Sequence, residues 1–249
     1  MGPKTASGNL LERRAGVALW RQIADRIRQA INIGEFGDSG MMPPEMQLAE
    51  RFGVNRHTVR SALAALASEG LVQAVQGRGT MILRRDRLSY PIGKRTRFSE
   101  GLQGQAERIA FQCLGHGRTV AGAEIAEALD IPPGTECITL ETLGGADGIP
   151  LSRASHVFPG PDFAAIPAHF ERFGSITRAL AEVGIADYTR LSTDVIARHA
   201  LPDEVAELKL SPGAILLETV AVNADGEGRR IQYSRTRFAA DRIKLRIES

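Results

Sequence analysis

The stretch MPPEMQLAERFGVNRHTVRSALAALASEGLV, residues 42–72, constrains the fold of this chain more than any other. Two short helices that pack across a tight turn need a small residue where they touch, a glycine to make the turn, and an apolar inner face on the second helix. Ala49, Gly53, Val59 and Ala62 supply these in order, and Leu63 and Leu66 lengthen the inner stripe. The spacing predicts a first helix over Glu45 to Phe52, with Leu48 and Phe52 inward, and a second starting near Arg56. Asn55 suits the N-cap of that second helix. Upstream, Leu19, Ile23, Ile27 and Ile31 recur every four residues, so a leading amphipathic helix is expected from Val17 to Ile33, ending at Gly34. A Gly/Ser/Pro-rich turn follows it.

This inner packing leaves Arg56, His57 and Arg60 on the solvent side of the second helix, where a major groove would lie. After Gly70, Leu71 to Val75 and Thr80 to Leu83 read as two short strands around Gln76-Gly77-Arg78-Gly79, the pattern of a wing. Glycines on both sides of Arg78 allow the backbone to approach a phosphate or the minor-groove floor. Charge is distributed accordingly. Residues 1–95 hold 15 Lys/Arg against 8 Asp/Glu, a net of +7, whereas residues 96–249 hold 16 against 21, a net of −5. A basic module of this kind is the footprint of phosphate contact. Taken singly, Arg60, His57 and Thr58 also suit an ordinary solvated helix; helix order, wing and charge together single out DNA.

In this order of parts the segment resembles the DNA-binding domain of the GntR family of regulators, over about residues 16–84. The resemblance implies that Asn55, Arg56, His57, Thr58 and Arg60 meet base edges or phosphates, and that Gly77, Arg78 and Gly79 meet the minor groove. It departs from many members at Met46, where an arginine often reads a base.

The second half repeats itself. A helix near Ala123 to Leu129, Pro132-Pro133-Gly134, a strand through Leu143, Asp147-Gly148 and Leu151-Ser152-Arg153 form one copy. Val205 to Leu208, Pro212-Gly213, a strand through Val222, Asp225-Gly226 and Tyr233-Ser234-Arg235 form the other. Each copy reads as helix, turn and β-hairpin, which predicts an α+β domain with a central antiparallel sheet and a ligand cleft between similar halves. A purely architectural duplication is the alternative. This half resembles the UbiC-like (UTRA) effector domain of the HutC subfamily, a fold related to chorismate lyase. Tyr90-Pro91, Thr96-Arg97-Phe98-Ser99 and Asn55-Arg56-His57-Thr58 look most like regulators of phosphonate uptake and metabolism. Family relatives bind phosphorylated or carboxylated small molecules, which implies that the loop at Arg97 to Glu100 meets the anionic group.

Arg97 and Ser99, two residues apart, can face one side of an extended segment and offer a planar cation and a hydroxyl to an anion. Arg190 and Arg198 share a parity along a strand-like run and are expected to close the site, as are Gln232 and Ser234; surface salt bridges are the other reading of these arginines. Thr142 and Gly144 align where amino-sugar-phosphate binders carry an Arg-x-Arg pair, which argues against that ligand. His57, His116, His156, His169 and His199 are scattered, and Cys113 and Cys137 lie far from any metal-ligand spacing, so neither metal nor cofactor is expected. No nucleophile elbow or phosphate loop occurs, which speaks against catalysis. No run of about 20 apolar residues crosses the chain, and Met1 to Ala15 lacks the apolar centre of a signal, so a cytoplasmic protein without a membrane partner is expected.

The expected organisation is a tail at 1–15, a winged helix-turn-helix at 16–84, a linker at 85–95 and an effector domain at 96–249. Expected function is a homodimeric repressor on double-stranded operator DNA, released by a small anionic effector such as a phosphonate or phosphate ester. An activator, a sensor of a sugar phosphate or histidine-pathway acid, and a chorismate-lyase-like enzyme are the alternatives.

Overall fold

The computed structural model describes residues 18–37, 40–83, 87–95, 101–102, 104–210 and 213–247. The chain divides into two compact units, Met1–Arg85 and Asp86–Ser249. In the first, helices α1 (Leu19–Asn32), α2 (Glu45–Phe52) and α3 (Arg56–Ser68) precede a hairpin of β1 (Val72–Val75) and β2 (Gly79–Ile82). Ile23 and Ile27 of α1, Leu48 of α2, and Val59, Ala62 and Leu66 of α3 meet in one core with no exposed surface. Leu19, expected on that stripe, is instead exposed at the first position of α1, a turn short of the core. Gly53 ends α2 in the left-handed region at φ 63°, which a residue with a Cβ adopts only at a cost. Asn55 then caps α3, its side-chain oxygen accepting from the Thr58 backbone N–H at 2.8 Å.

The Gly/Ser/Pro-rich segment is more than a turn. Met41 bridges Met81, the Met42 N–H donates to the Thr80 carbonyl, and the Ile82 N–H donates to the Gly40 carbonyl. The segment thus lays a short third strand against the hairpin and buries Met42 in the core.

The second unit is built on a six-stranded antiparallel sheet in the order β4-β5-β6-β9-β8-β7. Its strands are β4 (Ile109–Val120), β5 (Glu136–Ala146), β6 (Ile149–Pro159), β7 (Tyr188–His199), β8 (Ile215–Asp225) and β9 (Arg230–Ala239). With α4 (Ala123–Leu129) and α7 (Pro202–Glu207), the two sequence copies become two β-α-β-β halves, β4-α4-β5-β6 and β7-α7-β8-β9. They join where β6 pairs with β9, with Ala154 opposite Thr236. Both outer strands carry a bulge at the corresponding place, between Cys113 and Gly115 in β4 and between Arg190 and Ser192 in β7.

One sheet face is covered by α5 (Ile166–Phe173) and α6 (Ile176–Glu182), a pair with no counterpart among the described residues of the other half. Phe158, Phe163, Ile166, Phe170 and Leu180 form the core beneath them. The opposite face packs on α4 through Ala126, Leu129, Cys137, Val157 and Tyr233. Residues 88–92, expected in a linker, form β3 (Leu88–Ile92), which pairs parallel with β10 (Ile243–Ile247). Alternation explains it, because Tyr90 turns inward with Ile243 onto Phe238 and Leu151. Phe158 is wholly buried with its ring 5.8 Å from that of Phe163. Phe158→Ala is expected to cost about 3–5 kcal/mol, read as a lower urea midpoint at unchanged slope.

Candidate functional site

In the first unit, Arg56, His57 and Arg60 are exposed along the start of α3, with Thr58 half-buried and held by the Asn55 cap. The two arginines share one partner on α2. Arg56 Nε donates to Glu45 Oε2 at 2.7 Å and Arg60 Nη2 to the same oxygen at 3.0 Å. The Arg60 and Arg56 guanidiniums hold the Glu45 carboxyl below the usual carboxylate range. Met46 stands exposed one residue further on. At the hairpin tip, Gly77 and Gly79 adopt φ 75° and 100° around an exposed Arg78.

In the second unit, a cavity of about 90 Å³ opens on the sheet face beneath α5 and α6. That space holds several waters or a small organic anion. Among the described residues that line it, Arg190 is the one cation, and no carboxylate lines it. Thr142, Ser152, Ser175, Thr177, Ser234 and Thr236 bring hydroxyls, Tyr90 and Tyr188 phenols, and Asn223 and Gln232 amides. Of the expected effector residues, Arg190, Gln232 and Ser234 meet here, whereas Arg97 and Ser99 lie outside the described residues.

The structure does not bring Arg198 to this cavity. Residues directly opposite each other on neighbouring strands share a face, and Arg190 pairs with Asn223 whereas Arg198 pairs with Leu216. The bulge between Arg190 and Ser192 inserts one residue and reverses the parity downstream, which puts Arg198 on the other face. There its guanidinium donates to Glu204 at 2.7 Å and to Glu218 at 2.6 Å, two carboxylates that are almost wholly buried. Hydrogen bonds from Arg198 hold the Glu204 carboxyl below its ordinary range. Arg198 is therefore a structural cation whose removal would strand buried charge.

Parity reasoning along the other strands also missed Thr142, His156 and Asn223, all buried and all on the cavity. The signal for them was a polar side chain at an inward position of an otherwise apolar strand. His156 has a polar partner at each ring nitrogen. Its Nε2 lies 3.2 Å from Thr142 Oγ1 and its Nδ1 lies 2.9 Å from Gln232 Nε2. Gln232 Oε1 accepts from Asn223 Nδ2 at 2.6 Å, and Asn223 Oδ1 accepts from Arg190 Nε at 3.5 Å. Burial pushes the His156 pKa down to about 4, so the ring is neutral near pH 7. Among the described residues no cluster of His, Cys, Asp and Glu suits a metal, and no helix is long and apolar enough to cross a membrane.

Residues 19–82 match the family of bacterial regulatory proteins called gntR, and residues 104–244 match the UTRA domain. The chain is 60% identical over 240 residues to an uncharacterised helix-turn-helix-type transcriptional regulator of Rhizobium meliloti strain 1021, RB1450, covering 96% of this chain and 98% of that one. It is 34% identical over 231 residues to the probable transcriptional regulator PhnF of Escherichia coli K12, covering 91% and 92%. The crystal structure of PhnF from Mycobacterium smegmatis shares the fold, with a TM-score of 0.63 at 22% identity over 92% of this chain and 98% of that one. Both sequence relatives are named as transcriptional regulators.

The depressed His156 pKa has a consequence for stability. The unfolded chain takes up a proton on this ring below about 6.5, while the folded state resists it down to about 4. The stabilisation is thus complete above the first value and is lost as pH falls toward the second, about 3 kcal/mol in all. Melting curves between pH 7 and pH 4.5 are expected to show a smaller fall for His156→Gln than for the natural chain.

Proposed function

Since this chain belongs to the GntR family of bacterial regulatory proteins and carries a UTRA domain, we propose that it is a homodimeric repressor whose operator affinity falls when a small anion occupies the cavity under α5 and α6. As a regulator of this family it binds operator DNA and a small-molecule effector. The finer reading concerns how. Arg56, His57 and Arg60, with Asn55 and Thr58 setting the start of α3, are assigned to the major groove, and Gly77, Arg78 and Gly79 to the minor groove. Two copies on a two-fold symmetric operator would present two such units.

One observation carries the effector class: the cavity wall holds Arg190 and a set of neutral donors with no carboxylate among the described lining residues. An anion entering it gains a charge-assisted partner without meeting a like charge, although the unit as a whole is acidic. Phosphonates and phosphate esters fit, and the likeness of Tyr90-Pro91 and Asn55-Arg56-His57-Thr58 to phosphonate-pathway regulators favours them. The Arg190 backbone N–H donates to the Lys94 carbonyl at 2.8 Å. Arg97 and Ser99 follow Lys94 by three and five residues, which supports keeping them in the proposed site. Differential affinity of the anion for two conformers is all that release from DNA requires.

Two measurements test this reading. On a specific operator, Arg56→Ala or Arg60→Ala is expected to lose about 1–3 kcal/mol of affinity, with binding that weakens steeply as salt rises. Wild-type affinity in both variants removes α3 from the interface. In calorimetry over phosphonates, phosphate esters and neutral analogues, an anion is expected to bind and Arg190→Ala to weaken it at least about tenfold, the equivalent of a charge-assisted bond. Arg198→Ala is expected to lower the melting temperature and leave that affinity unchanged. Equal binding of neutral analogues, or full affinity in Arg190→Ala, refutes the anionic site.

A further inference from the structure

The polar side chains under α5 and α6 form a continuous line, Arg190, Asn223, Gln232, His156 and Thr142, drawn from β7, β8, β9, β6 and β5 in turn. Four of the five are buried, and all five border the cavity. Amides and a neutral imidazole can each be turned end for end, so such a line could run in either direction. Arginine cannot, because it has donors and no acceptor.

That asymmetry propagates through every link. Facing Arg190, Asn223 must present its carbonyl oxygen and therefore its NH2 to Gln232. Gln232 accepts there and so turns its own NH2 to His156 Nδ1, which must be unprotonated to receive it. A neutral ring then carries its proton on Nε2 and donates to Thr142 Oγ1. Accepting there with one of its two lone pairs, the Thr142 hydroxyl has its proton left to donate toward the cavity that Thr142 borders. The reverse direction would place two donors against each other at Arg190 or strand a buried acceptor, either of which is expensive where four of the five side chains are buried.

We infer that this line is a one-way hydrogen-bond relay that makes the Thr142 end of the cavity a donor, so that the effector needs an acceptor oxygen there as well as its anionic group at Arg190. Resting on the reading of the cavity as the effector site, the inference deepens the ligand class to small anions with a second, separated acceptor such as a carboxylate, carbonyl or ether oxygen. Asn223, Gln232 and His156 are positioning residues in this scheme, acting through their neighbours.

Nitrogen-15 NMR of the full chain reads the relay directly, because protonated and unprotonated imidazole nitrogens resonate far apart. The His156 signals are identified by their loss in His156→Gln. At pH 7 the natural chain is expected to show a single neutral tautomer with the proton on Nε2. In Asn223→Asp, the new carboxylate has only acceptors, so Gln232 must turn its NH2 to it and its carbonyl to the ring. The proton is then expected to move to Nδ1. In Thr142→Val, which cuts the far end and leaves the Arg190 end intact, the proton is expected to stay on Nε2. An Nδ1-protonated ring in the natural chain, a mixture of tautomers there, or an unchanged ring in a folded Asn223→Asp variant overturns the relay. No added ligand enters this readout, so its failure is separate from any failure of the anionic-effector reading, which the calorimetry above decides.

Discussion

Antiparallel pairing between β6 and β9 is the contact on which the second unit depends. Each β-α-β-β half alone is a three-stranded sheet with an open edge, and an edge of unpaired N–H and C=O groups is unstable in isolation. Joined from Ser152 opposite Phe238 to Val157 opposite Tyr233, the halves make one six-stranded sheet with β6 and β9 at its centre. The two central strands then expose two continuous faces. On one, Ser152, Ala154, His156, Gln232, Ser234 and Thr236 converge beneath α5 and α6. On the other, Arg153, Ser155, Arg235 and Arg237 lie among carboxylates.

Those two faces solve the problem of buried polarity in opposite ways. Arg198, Arg237, Glu204 and Glu218 compensate one another as charges, with the nearest oxygens at 2.6 and 2.7 Å. Such a cluster contributes little net stability relative to an apolar core, yet losing one member is costly. The cavity face is instead neutral except for Arg190, and its polar groups are satisfied by a line of hydrogen bonds through an uncharged histidine. Segregating fixed charge to one side of the sheet leaves the other available to an incoming anion, which is the electrostatic basis of the proposed effector chemistry.

In the first unit, Glu45 ties α2 to α3 through both Arg56 and Arg60. Exposed pairs of this kind are worth little as stability, and their importance is geometric. They hold two flexible guanidiniums near one another on the exposed start of α3, lowering the entropy cost of ordering them on a partner. The strand at Met41 and Met42 braces the hairpin along β2, so Arg78 is carried on a three-stranded support.

Much of this was legible in the chain itself. Helical periodicity with Ala49, Gly53 and Asn55 determined the helix-turn-helix, because those residues act through local backbone preferences and contacts a few positions away. The doubled Pro-Gly and Asp-Gly spacing revealed the two halves for the same reason. Gly77 and Gly79 marked the hairpin tip, and Arg190, Gln232 and Ser234 were found as neighbours in advance. Tertiary structure alone decided which sheet face α5 and α6 would cover, since both faces of the central strands alternate polar and apolar residues. It also decided the fate of Arg198, because a bulge is set by pairing with the neighbouring strand and one inserted residue at Leu191 reverses the parity of everything after it. His156 belongs with these. In the chain it is a lone histidine in a strand, and only the meeting of β5, β6 and β9 surrounds it closely enough to hold it neutral and give its two nitrogens different partners.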